Sequence, residues 1–490
     1  MIHRLFICLT TISLMTTQLL AGSTDDVIAK LNQSDLVQGT EEGQAWKVFF
    51  GACLEMTEPP QPLSNSWNMN TVWPGMEGWS EVASWASHNE HMEAAFLTSA
   101  GRIIIGLPYG TEGLPSGYLD QGIFAEIGVD GQLHKHGFSY IDTVRLACLW
   151  ATSESYRLFE AGQSDRALKL AMAELIVLRK FCDRIFVDEK ITFMKMLGDG
   201  LANFRAMFST YRDSISPEKF SEIAREWIPY LRVDSSRLLL PTGDQIVARA
   251  LLDELFTSTG DADAAQFREI LTDMQVEQEP LTRFGAAKFW EMIASIHGGH
   301  DAAAEQLVDI HDDWWRRWRL RSFHPQLKIN SELENTNPVR YAAVKLIVRD
   351  IQDLFFQRDV LWTQINGTAV SAALCGYKNH FGVYPKSLKM MYAQFLQRTS
   401  NLDLFKDLDK RTDSDWSLYN APVGHFHYRR IEDKTAIDTV NSDRLWVDPG
   451  ACILYGVGSN NEDDRAGEES LDMILWPPLK VLERNAGLVR

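Results

Sequence analysis

Apolar positions recur at helical spacing through the middle of the chain and give way to short, loop-bounded runs on either side. Leu168, Ala171, Met172, Leu175 and Ile176 follow the i, i+3, i+4, i+7, i+8 order of one buried helix face. Phe220, Ile223, Ala224, Trp227 and Ile228 repeat it behind Ser216-Pro217, a helix start where proline costs no hydrogen bond. From about Tyr140 to Asp359 the pattern predicts helix almost throughout. Ahead of it, Thr24 to Asn32 reads as a short helix and Glu55 to Gly78 as an ordered loop. Trp79 to Ala100 has helical spacing, Arg102-Ile-Ile-Ile105 reads as a short buried run, and Ile127 to Leu133 as a hairpin turning at Asp130-Gly131.

Three turns punctuate the helical stretch, at Glu160 to Leu168, Ser258 to Ala265 and Ile296 to Ala304. They resemble tetratricopeptide-type turns, but Gly162, Gly260 and Gly299 are unevenly spaced, which favours an irregular helical array over a regular solenoid. After a polar connector from Pro325 to Pro338, the residues Val344, Ile347, Val348, Ile351, Leu354 and Phe355 begin another amphipathic helix. It runs toward Tyr377, with a kink or break expected at Asn366-Gly367. Beyond it, Phe426 to Ile431 and Ala451 to Tyr455 alternate with Asp/Asn/Gly loops, as in a small antiparallel sheet. The expected organisation is a mixed segment over 24–139, a helical domain over 140–335 and a long helix with a small α+β unit over 340–490. The fold class is thus mainly α, an irregular multi-helix array with a C-terminal α+β head.

A length of 490 residues with 45% hydrophobic side chains suits two or three packed domains. The formal charge of −18 argues against nucleic acid or anionic lipid as partner. Residues 1–23 read as a signal peptide: Met1-Ile-His-Arg4, then a diluted apolar stretch from Leu5 to Leu20, then Ala21-Gly22-Ser23. That implies export to the periplasm or cell envelope, with membrane attachment only where the leader stays uncleaved. Cys53, Cys148, Cys182, Cys375 and Cys452 follow the leader, widely spread and without CxxC spacing. They exclude a disulfide scaffold and leave one bridge or buried free thiols.

The C-terminal stretch carries the most specific pattern. Gly382-x-Tyr384-Pro385 ends the long helix, with Gly382 supplying a positive φ and Pro385 forbidding continuation; Ser387-Leu388 restarts a short helix. Ala421 to Tyr428 enters a strand, and Leu454-Tyr-Gly-Val-Gly-Ser459 leads into an acidic loop closing on Asp472-Met-Ile474. Over about Val344 to Trp476 this is similar to the globular head of type II secretion major pseudopilins and of large exported proteins of planctomycete-type bacteria. The prepilin leader and polymerising helix are missing, and more than 300 residues precede the head, so no pilus is expected.

In those pseudopilins the corresponding loop binds calcium. The resemblance therefore implies calcium ligands from Ser459, Asn461, Asp463, Asp464 and Asp472, an oxygen set suited to a hard cation. Against it stand Asn460-Asn461 in place of the family's Asp-Gly pair, and Arg465 within the loop. A solvated turn whose aspartates cap neighbouring amides is the alternative.

Other candidate chemistry is sparse. His88 and His91 stand in His-x-x-His spacing with Glu93 nearby, and His297, His300, His311, Asp312 and Asp313 form a second group. Either set is the raw material of a metal-dependent hydrolase, or of ordinary turn and surface positions. His134/His136 and His425/His427 are spaced for one face of a strand. Asp312 to Phe323 interleaves Trp with Arg, giving either a ligand face or a packed helix whose guanidinium groups cover indoles. No GxSxG, HExxH, P-loop or post-strand GxGxxG is present. The leading expectation is an exported, non-catalytic interaction protein with a protein or envelope partner. A periplasmic metal-dependent hydrolase and a helical-repeat peptide adaptor are the alternatives.

Overall fold

Each long apolar stripe becomes a helix laid against its sequence neighbour in the computed structural model. It describes residues 24–61, 68–278, 282–320, 324–400, 402–407, 423–438, 444–458, 462–466 and 472–488. The chain is mainly helical, with small antiparallel sheets of two or three strands near the C-terminus, as the sequence pattern predicts. The leader lies outside the described residues. Among those described, no helix is long and apolar enough to cross a membrane.

Helix Tyr140–Glu160 packs on Ser164–Phe181, which packs on Val187–Thr210. Gly162 makes the first of these reversals at φ 72°, a left-handed conformation that glycine adopts without steric cost. Ser216 caps the helix at Pro217–Glu222 by accepting from the Lys219 amide at 3.1 Å. The five cysteines from Cys53 onward are buried free thiols. Ile103 departs from its expected place in a buried run: it is 80% exposed, while Ile105 is buried. The strand pattern there reduces to a single parallel bridge, Gln44 to Ile104, leaving nothing to cover the outward side chain.

In the middle of the body the Glu189 carboxylate is wholly buried and takes donors from two other segments. Tyr109 Oη donates to it at 2.6 Å, Arg184 Nε at 2.8 Å, and the Tyr140 hydroxyl donates to the same carboxylate. Arg184 lies over the Tyr109 ring at 4.0 Å and also donates to the Leu107 carbonyl. Burial and the facing carboxylate push both tyrosine hydroxyls well above their usual range.

The most consequential helix is Gln352–Phe381, which runs unbroken through Asn366-Gly367. The expected break falls earlier, at 348–351, between it and helix Ala342–Ile347. There Arg349 is drawn into a two-point ion pair with Asp188, at 2.5 and 2.6 Å, and Asp350 caps the Gln352 amide at 2.9 Å. Gly367 serves close approach instead: a Cβ there would sit 2.4 Å from a Leu475 methyl.

Leu475 belongs to a three-stranded antiparallel sheet in which His427–Arg430 and Met473–Trp476 flank Cys452–Gly456. The central strand alternates between two cores. Cys452 and Leu454 join the main core, which runs from Val27 to Trp476 across the segments 24–139, 140–335 and 340–490. Ile453 and Tyr455 face a small second cluster with Ile431, Ile437 and Val447. Helix Leu479–Asn485 then returns to the body: Lys480 Nζ donates to Asn203 at 3.0 Å and to Asn70, and Arg484 lies over the Trp73 ring at 4.9 Å.

Two outcomes follow from these contacts. Gly367→Ala gains about 1 kcal/mol of helix propensity but overpacks Leu475, so chemical denaturation should give a net loss of about 1–2 kcal/mol; an equally stable variant would contradict the close approach. Glu174, buried beside the Thr152 hydroxyl at 3.3 Å, has its pKa pushed by burial from 4.5 up to about 8. The native state therefore holds a proton that the unfolded chain has lost, and this contribution is present at low pH and fades as pH rises toward 8. This contribution is full below about pH 4.5 and is lost across about pH 4.5 to 8, with a slope near 1.4 kcal/mol per pH unit from this group until pH nears 8. Glu174→Gln should flatten that window in urea titrations.

Candidate functional site

The head's geometry starts with the end of the long helix. Gly382 sits at φ 75° and donates to the Lys378 carbonyl at 2.8 Å, closing the helix in a left-handed cap. Tyr384 is then buried beneath the sheet, and Tyr428 Oη donates to the Pro385 carbonyl at 2.6 Å, tying the turn to the first strand.

Within the acidic loop the carboxylates bind the loop's own donors. Asp463 Oδ1 accepts from Tyr455 Oη at 3.0 Å and from the Arg465 amide at 2.9 Å, and its Oδ2 lies 3.2 Å from His427 Nδ1. Asp472 Oδ2 accepts from the Ala466 amide at 2.8 Å, where Arg465 and Ala466 both take positive φ. This is the amide-capping arrangement of a tight acidic turn. Asp464 is half-buried beside it; Ser459 and Asn461 lie outside the described residues. Among the described residues no group of three or more His, Cys, Asp or Glu side chains could hold a metal ion.

The histidines disperse. His88 and His91 do not share a helix face, because the helix stops at His88 and a new one begins at His91. Asn89 forces the break: its side chain accepts from the Thr57 amide at 2.9 Å and donates to the Trp85 carbonyl at 2.8 Å. His88 then bonds to Ser84 O and His91 to Ala52 O, while Glu93 grips Arg166. Both His297 ring nitrogens are engaged by backbone, Nδ1 with Gly298 O at 2.7 Å and Nε2 with the Ala343 amide at 3.3 Å. His300 bonds to Asp253 at 2.8 Å. His311 is buried against Trp314, Asp312 is exposed, and Asp313 accepts from Arg317 at 2.6 Å. His425 is exposed, and the His427 ring stacks on Tyr455 with centroids 5.1 Å apart.

In the Trp/Arg helix, His300–Trp318, the indoles of Trp314 and Trp318 are core. Trp318 Nε1 donates to Leu238 O at 2.9 Å, and Arg358 covers its ring at 4.5 Å. Only Trp315 is exposed, under the Arg319 guanidinium at 3.5 Å. Guanidinium groups covering indoles is therefore the arrangement found; Arg321, Ser322 and Phe323 lie outside the described residues.

One polar cleft does gather candidate residues. Strand pair Glu126–Ile127 and His136–Gly137 brings His134 and His136 to a cleft of about 490 Å³ that also contains Asp244, Lys345 and Arg349. Asp244 Oδ2 accepts from the Val187 amide at 2.8 Å, and burial raises its pKa to about 6. The His136 Nδ1 is buried without a hydrogen-bond partner among the described residues, its ring lies 4.9 Å from that of Phe186, and burial lowers its pKa to about 4. The charges here largely neutralise one another, with Arg349 held by Asp188. Asp244 carries a local signal, as an acidic residue in the first turn of helix Gly243–Glu254. Nothing local places it near His136.

Comparison with models of known protein families, with curated proteins and with solved structures finds no match.

Burial also lowers the pKa of His311 to about 4. Both histidines are neutral in the folded chain where an unfolded one would protonate, so their contribution is present above about pH 6.5 and is lost as pH falls toward 4. An NMR titration should find both rings neutral at pH 5.5; a midpoint near 6.5 for either would refute its burial.

Proposed function

We propose that this chain is an exported, non-catalytic interaction protein in which a helical body presents a pseudopilin-like head to a protein or envelope partner. The observation that carries the reading is the junction at Gln352–Phe381. One helix packs on Val187–Thr210 of the body and also seats the three-stranded sheet through Gly367 and Leu475. The helix stop at Gly382, the buried Tyr384 and the Tyr428 tether follow the order of motifs on which the resemblance rests. A head fixed in this way has a defined orientation on its body, which suits presentation better than turnover.

Calcium enters the proposal as a ligand of Asp463, Asp464 and Asp472 together with Ser459 and Asn461. To bind, it must replace the bonds that Asp463 and Asp472 make to Tyr455 and to the Arg465 and Ala466 amides. The hydrolase alternative finds no support from His88/His91 or His297/His300/His311, whose rings are engaged separately.

The test is a thermal melt of the full chain in calcium and in EDTA, alongside N-terminal sequencing of the protein recovered from an envelope fraction. Calcium at a hundredfold excess over its dissociation constant should add about 2.7 kcal/mol to stability, and EDTA should reverse it. No shift in either direction removes the metal from the proposal. Recovery only from the cytoplasm, with Met1 retained, would overturn export.

A further inference from the structure

The strongest unassigned feature lies where body and head meet. A cleft of about 370 Å³ is lined by Arg232, Arg319 and Arg358, with Asp234 as its one acidic side chain among the described residues. In a chain of formal charge −18, this local reversal of sign stands out. Sites for small ligands occupy roughly 300–1,000 Å³ and combine an apolar wall with a few converging polar groups.

The three guanidinium groups differ in how they are held. Arg358 is only 2% exposed; Nη1 donates to the Trp318 carbonyl at 2.6 Å and Nε lies 3.3 Å from Asp359. It is a fixed, largely compensated charge. Arg232 and Arg319 are exposed, and among the described residues neither forms an ion pair; Arg319 rests on the Trp315 face at 3.5 Å. Asp234 Oδ1 accepts from the amide and hydroxyl of Ser236, so one carboxylate faces three guanidinium groups in this lining and leaves it net positive. Two exposed guanidinium groups without an ion pair among the described residues, in a lining of net positive charge, favour an oxyanion, which Arg binds through paired N–H donors.

The rest of the lining narrows the class. Trp362 is half-buried in the lining, to which the hydroxyl-bearing Ser235 and Thr399 also belong. An aromatic side chain and hydroxyls in one lining suit a hydroxylated ring, whose C–H face packs on indole while its O–H groups exchange hydrogen bonds. The volume of about 370 Å³ is that of a small-molecule site. We infer that this cleft binds a small anionic sugar, with Arg232 and Arg319 on its phosphate or carboxylate and Trp362 against its ring. This goes beyond the proposed role of the head and does not depend on it.

Calorimetry on the full chain with glucose 6-phosphate, glucose and inorganic phosphate separates the parts of this inference. Glucose 6-phosphate is expected to bind at least tenfold more tightly than phosphate and to quench tryptophan fluorescence, with glucose alone giving no heat. Added salt should weaken binding, as it does for exposed charge pairs. The double variant Arg232→Ala/Arg319→Ala changes two exposed side chains, so its circular dichroism should be unaltered while affinity falls at least tenfold. No heat with glucose 6-phosphate at millimolar concentration, or unchanged affinity in the double variant, would overturn the site. Phosphate binding as tightly as the sugar phosphate would overturn the assignment of a sugar.

Discussion

The rest of the body depends on a charge pair placed where water does not reach. Glu189 and Arg184 are both buried, and partners on each offset the cost of taking the charges out of water, although Arg184 Nη2 has no hydrogen-bond partner among the described residues. Tyr109 and the Leu107 carbonyl come from the N-terminal segment, Tyr140 from the start of one helix and Glu189 from the first turn of another. Satisfying the pair therefore fixes three stretches of chain at once. Removing one partner of such a pair typically costs about 3–5 kcal/mol, because the other charge is left stranded. Apolar packing, as around Phe181, where Phe49, Tyr140 and Phe193 meet, adds cohesion. The polar hub supplies uniqueness, since slipping any of the three segments leaves a charge unpaired.

The second organising constraint is steric. Gly367 lets a strand approach a helix more closely than any side chain would permit, and Leu475 fills the space. The body and the head thus share a helix and a core. The helix is long enough to belong to both, and the central strand of the head sorts its side chains between the main core and a small private one.

How much of this was legible depended on how local the cause was. The stripe from Leu168 to Ile176 and the Ser216-Pro217 start are local patterns, and both became the helices they predict. Gly382 was legible because a glycine before Pro385 has a single reading. Gly367 was not, because a glycine inside a helical pattern reads the same whether it breaks the helix or makes room for a neighbour. The pair His88 and His91 misled for a related reason: spacing assumes an unbroken helix, and Asn89 ends it through bonds to Thr57, far away in sequence. The clefts were invisible in the sequence. Asp244 and His136 meet only through the tertiary fold, as do Arg232, Arg319 and Arg358, and no periodicity records such a meeting. The Arg/Trp run named Arg319 among its members, without any sign that its companions would be Arg232 and Arg358.

The return of helix Leu479–Asn485 to the body has a consequence for the order of events as the chain is made. Lys480 reaches Asn70 and Asn203, and Arg484 covers Trp73, so residues near 70 wait for a segment translated some 400 positions later. Until that segment is made, the Trp73 ring lacks its Arg484 cover and the Asn70 and Asn203 side-chain carbonyls lack the Lys480 donor. The surroundings of Trp73 are therefore completed only after residues 479–485 have been made, however early the rest of the body folds.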